Sequence, residues 1–224
     1  MTNRFLERFT ERAQYGLLTQ EILDRVGRLG IRFNPYLIVD ESPGAALDVE
    51  VDATGYTIRP LSTDDVVQIA NMPDRKRDLN KTLERLEFSQ CLGIFVNGTL
   101  AGYSWSRSDR IARSKGRIEL HALKPDEAYL FDMYVARQFR GMALAPLLRH
   151  HLYQHLEAEG VRRFYSITSY FNRSSRKFKA KLGARRIELR AALKLWSLME
   201  VDFRLRRYDE DDPFGPKRLY LVRG

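Results

Sequence analysis

The sequence predicts a mixed α/β fold: a central twisted mixed β-sheet flanked by helices, preceded by an N-terminal helical appendage. Three observations carry this prediction. Strand-like stretches alternate with helical ones through most of the 224 residues, yet hairpins interrupt the alternation, so the sheet should be mixed. Leu144, Leu148, Leu152 and Leu156 recur every fourth residue, with a strand-like stretch on either side. Asn97-Gly98 stands between two apolar runs, the strongest short signal for a two-residue hairpin turn.

Composition sets the frame. Hydrophobic residues make up 44% and aromatics 11%, enough for a sizeable core and against disorder. No apolar run approaches the roughly 18 residues of a membrane-spanning helix. The first ten residues mix charge and apolarity too finely for a signal peptide. The single cysteine, Cys91, allows neither an internal disulfide nor a thiolate zinc site. The expectation is a cytoplasmic protein of a reducing compartment.

The elements follow in order. In residues 1–50, Phe5, Leu6 and Phe9 suggest an early helical turn, and Leu18, Ile22, Val26 and Leu29 a helix stopped by Gly30. Ile31 to Val39 reads as extended. Residues 40–55 carry five acids, no base, one proline and two glycines, which suits a linker. The residues leave three roles open for this appendage: packing on the main domain, dimerisation, or peripheral membrane contact through residues 1–30.

Residues 51–208 read as the main domain. Tyr56–Leu61 is a strand, Ser62 or Thr63 caps a helix holding Val66, Val67 and Ile69, and residues 75–88 are helical. Gly93–Val96 and Thr99–Trp105 form the hairpin. A strand at 128–135, a loop at 136–143 and a helix over 144–159 precede a strand from Arg163 and a helix at 173–182. Two β-rich stretches, 185–196 and 198–208, follow. Residues 209–224 form an acidic turn and a last short strand. Trp105 and Trp196 are expected in the core or a pocket wall. His150, His151 and His155 lack the glutamate and further ligands a zinc site would need, so they read as helix-surface groups and no metal is expected.

Charge is the first functional clue. Lys and Arg number 38 against 29 Asp and Glu, a net +9, and residues 160–207 hold 14 bases against Glu188, Glu200 and Asp202. Such a patch attracts an anion: a phosphorylated cofactor, an acidic protein, a nucleic acid or a membrane surface. The stretch from Asp132 to Leu148 says more. A strand runs into a loop of Arg140, Gly141 and small residues, and a helix begins at once. Backbone N–H groups and aligned peptide dipoles at a helix start make an anion site. About thirty residues on, Asn172 opens a basic helix that ends at Leu182-Gly183.

Together these two segments resemble the GNAT acyltransferase superfamily over about residues 56–200. The loop motif stands here as Gln138-Phe-Arg-Gly141-Met-Ala143, and the second as Asn172, Ser175, Phe178 and Leu182-Gly183. The resemblance implies an acetyl-CoA or longer acyl-CoA site in which backbone N–H groups of Gln138, Phe139, Arg140, Gly141, Met142 and Ala143 hold the pyrophosphate. It implies that Met133 and Val135 pair with the pantetheine arm, with Asn172, Ser175 and Phe178 contributing. The implied chemistry is direct attack of a neutral amine on the thioester, which needs positioning, a proton acceptor and a polarising N–H.

The match departs from the family at the catalytic groups. Lys179 stands where a tyrosine acid is usual, and reads as a solvated group facing the donor's phosphates. Asp132 and Glu127 are the local candidates for a base, and Tyr170 for an alternative acid. The loop phrase Tyr-Val-x-x-x-Phe-Arg-Gly followed by Ala-Pro-Leu-Leu resembles that of GNAT members linked to surface-polysaccharide or amino-sugar work, and this resemblance implies an amino sugar or other small anionic amine as acceptor. Acyl carrier protein is an alternative donor that the bases of 173–181 would suit. A nucleic-acid-binding module is the reading of a different class; no helix-turn-helix, zinc-finger or RNP pattern supports it, and no nucleic-acid partner is expected.

Overall fold

The computed structural model describes residue 25 and residues 30–42, 55–72, 75, 77–113, 118–196, 199–208 and 219–223. The helical turns expected before residue 30, most of the acidic linker and the turn at 209–216 lie outside the described residues. Those described form strands β1 (Ile31–Asp40), β2 (Tyr56–Pro60), β3 (Gln90–Val96), β4 (Thr99–Arg107), β5 (Arg110–Arg113) and β6 (Ile118–Ala122). Strands β7 (Glu127–Val135), β8 (Arg163–Ser169), β9 (Arg185–Leu195), β10 (Met199–Arg207) and β11 (Leu219–Arg223) follow. The helices are α1 (Thr63–Ala70), α2 (Leu79–Leu86), α3 (Leu144–Ala158) and α4 (Arg173–Lys181). The chain divides into two compact units, the first of residues 44–110 and 123–165, the second of residues 1–43, 111–122 and 166–224.

In the first unit β2, β3, β4 and β7 pair antiparallel in that order. The β3–β4 turn is Asn97-Gly98, with φ of 48° and 76°, the left-handed pair a type I′ hairpin demands. Helix α3 connects β7 to β8. Leu144, Leu148, Leu152 and Leu156 are buried against Leu92, Ile94, Ala101, Ala128 and Leu130 of the strands, so the leucine stripe faces the sheet. Helix α1 starts with a reciprocal cap. The Ser62 hydroxyl accepts from the Asp65 N–H, and the Asp65 carboxylate accepts from the Ser62 N–H. Its Val66 and Ile69 enter a second cluster with Cys91, Phe95, Tyr103 and Trp105.

In the second unit β1 pairs antiparallel with β9 from Ile31 opposite Leu195 to Asp40 opposite Arg185. Strand β9 pairs in turn with β10, and β10 with β11. Strand β8 lies on the other side of β1. The extended stretch of the expected appendage is therefore an interior strand, and Tyr36 to Asp40 are buried. A buried ionic chain crosses this unit. Asp202 accepts from the Tyr36 hydroxyl and from Arg190, while Glu188 accepts from Arg190 and Arg204.

One expectation needs correction, and one ladder was not expected. Trp196 is not core or pocket wall: it ends β9 in a turn at φ 48° and is 59% exposed. Its strand-like neighbours run out one residue before it. The ladder of β5 with β6 lies in the stretch 107–127, where no element was expected from the sequence, although Ile118-Glu-Leu-His-Ala alternates over five residues.

Candidate active site

The loop after β7 belongs wholly to the first unit. Ala136 donates its N–H to Ala101 O at 2.8 Å, fixing the end of the strand. One turn of 3-10 helix, Arg137–Phe139, follows, and the Phe139 ring packs against the core beneath α3. Gln138, Arg140, Gly141, Met142 and Ala143 are exposed. Gly141 sits at φ 92° and Ala143 at 53°, so two left-handed residues turn the chain sharply into α3. No side chain caps the start of α3. A Cβ on Gly141 would meet nothing within 4 Å; the glycine is needed for its backbone angle, not for room. An uncapped helix start presents unbonded N–H groups and the positive end of the dipole to whatever anion arrives.

Just upstream, β7 carries a bulge. Tyr103 faces Tyr134 and Trp105 faces Phe131, so Asp132 and Met133 share one partner position, and Asp132 adopts φ 49°. A bulge re-aims the side chains around it, and such strain gathers beside active sites. Met133 and Val135 lean on the first core cluster. Gly102, opposite Val135, lets β4 and β7 lie close together: a Cβ there would lie 2.7 Å from Tyr134 O.

The expected catalytic carboxylates have other occupations. Asp132 accepts from Arg75 and Arg77 on Oδ1, each at 2.7 Å, and from Arg85 on Oδ2 at 2.6 Å. Burial pushes its carboxyl upward, but the charges of Arg75, Arg77 and Arg85 outweigh it and hold the group below the ordinary range. A carboxylate so stabilised is a weak proton acceptor, so the structure argues against Asp132 as the base. Glu127 is fully buried and accepts from the Lys124 N–H and the Tyr165 hydroxyl; it anchors the start of β7.

The remaining predicted residues lie in the second unit. Tyr170 is exposed, with the Arg176 guanidinium 5.0 Å from its ring centre. Asn172 caps α4, its Oδ1 accepting from the Ser175 N–H at 2.9 Å, and the Ser175 hydroxyl accepts from Thr168. Phe178 is half-buried on α4. Lys179 requires a correction: it is not solvated but buried, and donates to the Glu41 carboxylate and the Ser166 hydroxyl. Position 179 falls one turn after Ser175 on the packed side of α4, while Lys177 and Lys181 point to solvent.

Sequence reasoning missed Arg75, Arg77 and Arg85. Their carboxylate partner is 47 or more residues away, and no local pattern announces such a contact.

The model of the acetyltransferase (GNAT) family matches residues 57–184, more than half of the 224 residues, and the chain belongs to that family. Its enzymes transfer acyl groups from coenzyme A thioesters. A search of curated proteins gives no match. Among solved structures, the chain is similar to a GNAT-family protein of Novosphingobium aromaticivorans, with 20% identity and a TM-score of 0.53 over 75% of this chain and 67% of that one. A tandem GNAT protein from the clavulanic acid biosynthesis pathway shares 17% identity at a TM-score of 0.53, over 79% of this chain and 55% of that one. A conserved protein of Staphylococcus epidermidis gives 10% and 0.53 over 77% and 66%. At these identities the likeness is one of fold.

Proposed function

We propose that the chain is an N-acyltransferase that passes an acetyl or longer acyl group from coenzyme A to a small amine. The observation that carries this reading is the uncapped start of α3 behind two left-handed residues, Gly141 and Ala143, on an exposed loop. Backbone N–H groups from Gln138 to Ala143 receive the pyrophosphate there, and the bulged strand at Met133 and Val135 offers its backbone to the pantetheine arm. The chemistry is then proximity and polarisation: the amine is held against the thioester while a backbone N–H steadies the developing oxyanion. With Asp132 held by arginines, solvent takes the amine's proton.

Gly141→Glu tests the loop. A side chain at φ 92° is strained, and its carboxylate repels the diphosphate. Acetyl-CoA affinity should fall at least a hundredfold, read by calorimetric titration. Equal affinities for variant and wild type would defeat the assignment.

A second reading takes the acyl chain from acyl carrier protein, favoured by the exposed Arg173, Lys177 and Lys181 of α4. Replacing acetyl-CoA by acyl carrier protein thioesters in one turnover assay separates the two donors.

A further inference from the structure

Within the first unit, one cluster has more positive charge than its folding requires. Arg75, Arg77 and Arg85 all converge on Asp132, and none of them meets another carboxylate among the described residues. Among the described residues, three guanidiniums against one carboxylate leave two positive charges unmatched. A single arginine would neutralise Asp132; the second and third add mutual repulsion. Each gives Asp132 only one nitrogen, Nη2 of Arg75 and Arg77 and Nη1 of Arg85, although a guanidinium carries five N–H donors. The Arg77 Nε–H is buried and finds no acceptor.

The aromatic surroundings orient these groups. Arg75 lies 4.8 Å over the Tyr134 ring, and Arg85 lies 5.0 Å over Trp105 and 5.6 Å over Phe131. A guanidinium laid flat on a ring keeps its N–H edge for oxygen acceptors, and a planar fork matches carboxylate or phosphate oxygens. The rings also exclude water on one side, which strengthens attraction for an anion. The three side chains remain about 30% exposed, so the cluster is reachable. Asp132 immediately precedes Met133–Val135, the segment assigned above to the donor arm.

We propose that Arg75, Arg77 and Arg85 form an anion subsite, floored by Tyr134 and Trp105, that selects acceptor amines bearing a carboxylate or phosphate. This rests on the N-acyltransferase reading. Asp132 is then a positioning residue: it gathers the three arginines and moderates their repulsion until the acceptor's anion joins them.

The test uses the full chain with coenzyme A at saturation, so that the loop before α3 is filled. Melting temperature is followed as acetate or phosphate replaces chloride at constant ionic strength, in wild type, Arg75→Gln and Arg77→Gln. The expected result is a rise for wild type that both variants lose. A matched amine panel under acetyl-CoA adds selectivity: amino acids against their amides, and amino-sugar phosphates against the unphosphorylated sugars. Charged members should exceed neutral ones at least tenfold in kcat/KM, with the ratio collapsing in Arg77→Gln, and the preferred partner tells carboxylate from phosphate. No anion-dependent rise in wild type, a rise the variants retain, or a preference for neutral amines would overturn the proposal. Weaker coenzyme A binding in the variants would instead assign the arginines to the donor. Failure of wild type to bind coenzyme A at all would defeat the N-acyltransferase reading itself, a separate outcome.

Discussion

Lys179 shows how far one residue can be read from its neighbours. Its surroundings in sequence, Arg176, Lys177 and Lys181, predict a solvated cation, and Lys177 and Lys181 are exposed as expected. Residue 179 faces inward because a helix turns 100° per residue, and it carries its charge into contact with buried Glu41. Glu41 lies 138 positions earlier, in a stretch that reads as linker. Breaking a buried pair by removing one charge costs about 3–5 kcal/mol, whereas replacing both charges by apolar groups is often neutral. Glu41→Gln should therefore lower the unfolding free energy by that amount, read as a lower urea midpoint, and a Glu41→Leu, Lys179→Met double variant should recover most of it. If the single variant unfolds at the wild-type midpoint, the pair contributes nothing to stability.

At the scale of elements, local pattern and tertiary need agree best in α3. The leucine period, the stop at Gly160 and the glycine-bearing entry can all be seen in the sequence, and all four stripe leucines are buried in the first core cluster. Leu148 is fully buried, so Leu148→Ala should cost about 2–5 kcal/mol through lost transfer energy and a residual cavity. Equilibrium denaturation would show it as a lower midpoint with an unchanged slope; a loss under 1 kcal/mol would mean that the site collapses around the gap. The hairpin at Asn97-Gly98 and the cap at Ser62 were equally legible, because turn and cap chemistry act within four residues. Strands β5 and β6 were not: β5 has only four residues and no alternation, and the alternation of β6, Ile118-Glu-Leu-His-Ala, is only five residues long. Nor does anything in the run from Ile31 to Asp40 say that it sits between two other strands.

For the whole molecule, acid sensitivity follows from the ion pairs. Asp65 is held far down by its hydrogen bonds to Arg59, and these outweigh its burial. At Asp132 burial pulls upward and the arginine charges win; at Asp109 burial again pulls upward and Arg107 wins. A carboxylate whose folded pKa is depressed contributes stability that is fully present above its unfolded pKa, about 3.9. That stability is lost as pH falls through the folded value. The protein should hold a level melting temperature from neutrality down to about pH 5 from these groups, then lose stability below about pH 4. An Arg59→Gln variant should lose less over the same acid range, because its Asp65 has less to give up. Identical acid profiles for the two proteins, measured by circular dichroism melts, would contradict this account.

The sequence by itself determined the fold class, the α3 stripe, the β3–β4 turn and the glycine loop before α3. Each depends on residues within one or two turns of each other, where periodicity and backbone sterics act directly. The tertiary structure alone decided the chemistry of the charged groups. Asp132 reads as a base until three arginines from 47 to 57 positions away close on it, and Lys179 reads as a surface cation until Glu41 meets it. Coulomb interactions depend on distance in space and on burial, and neither is written in the spacing of residues along the chain.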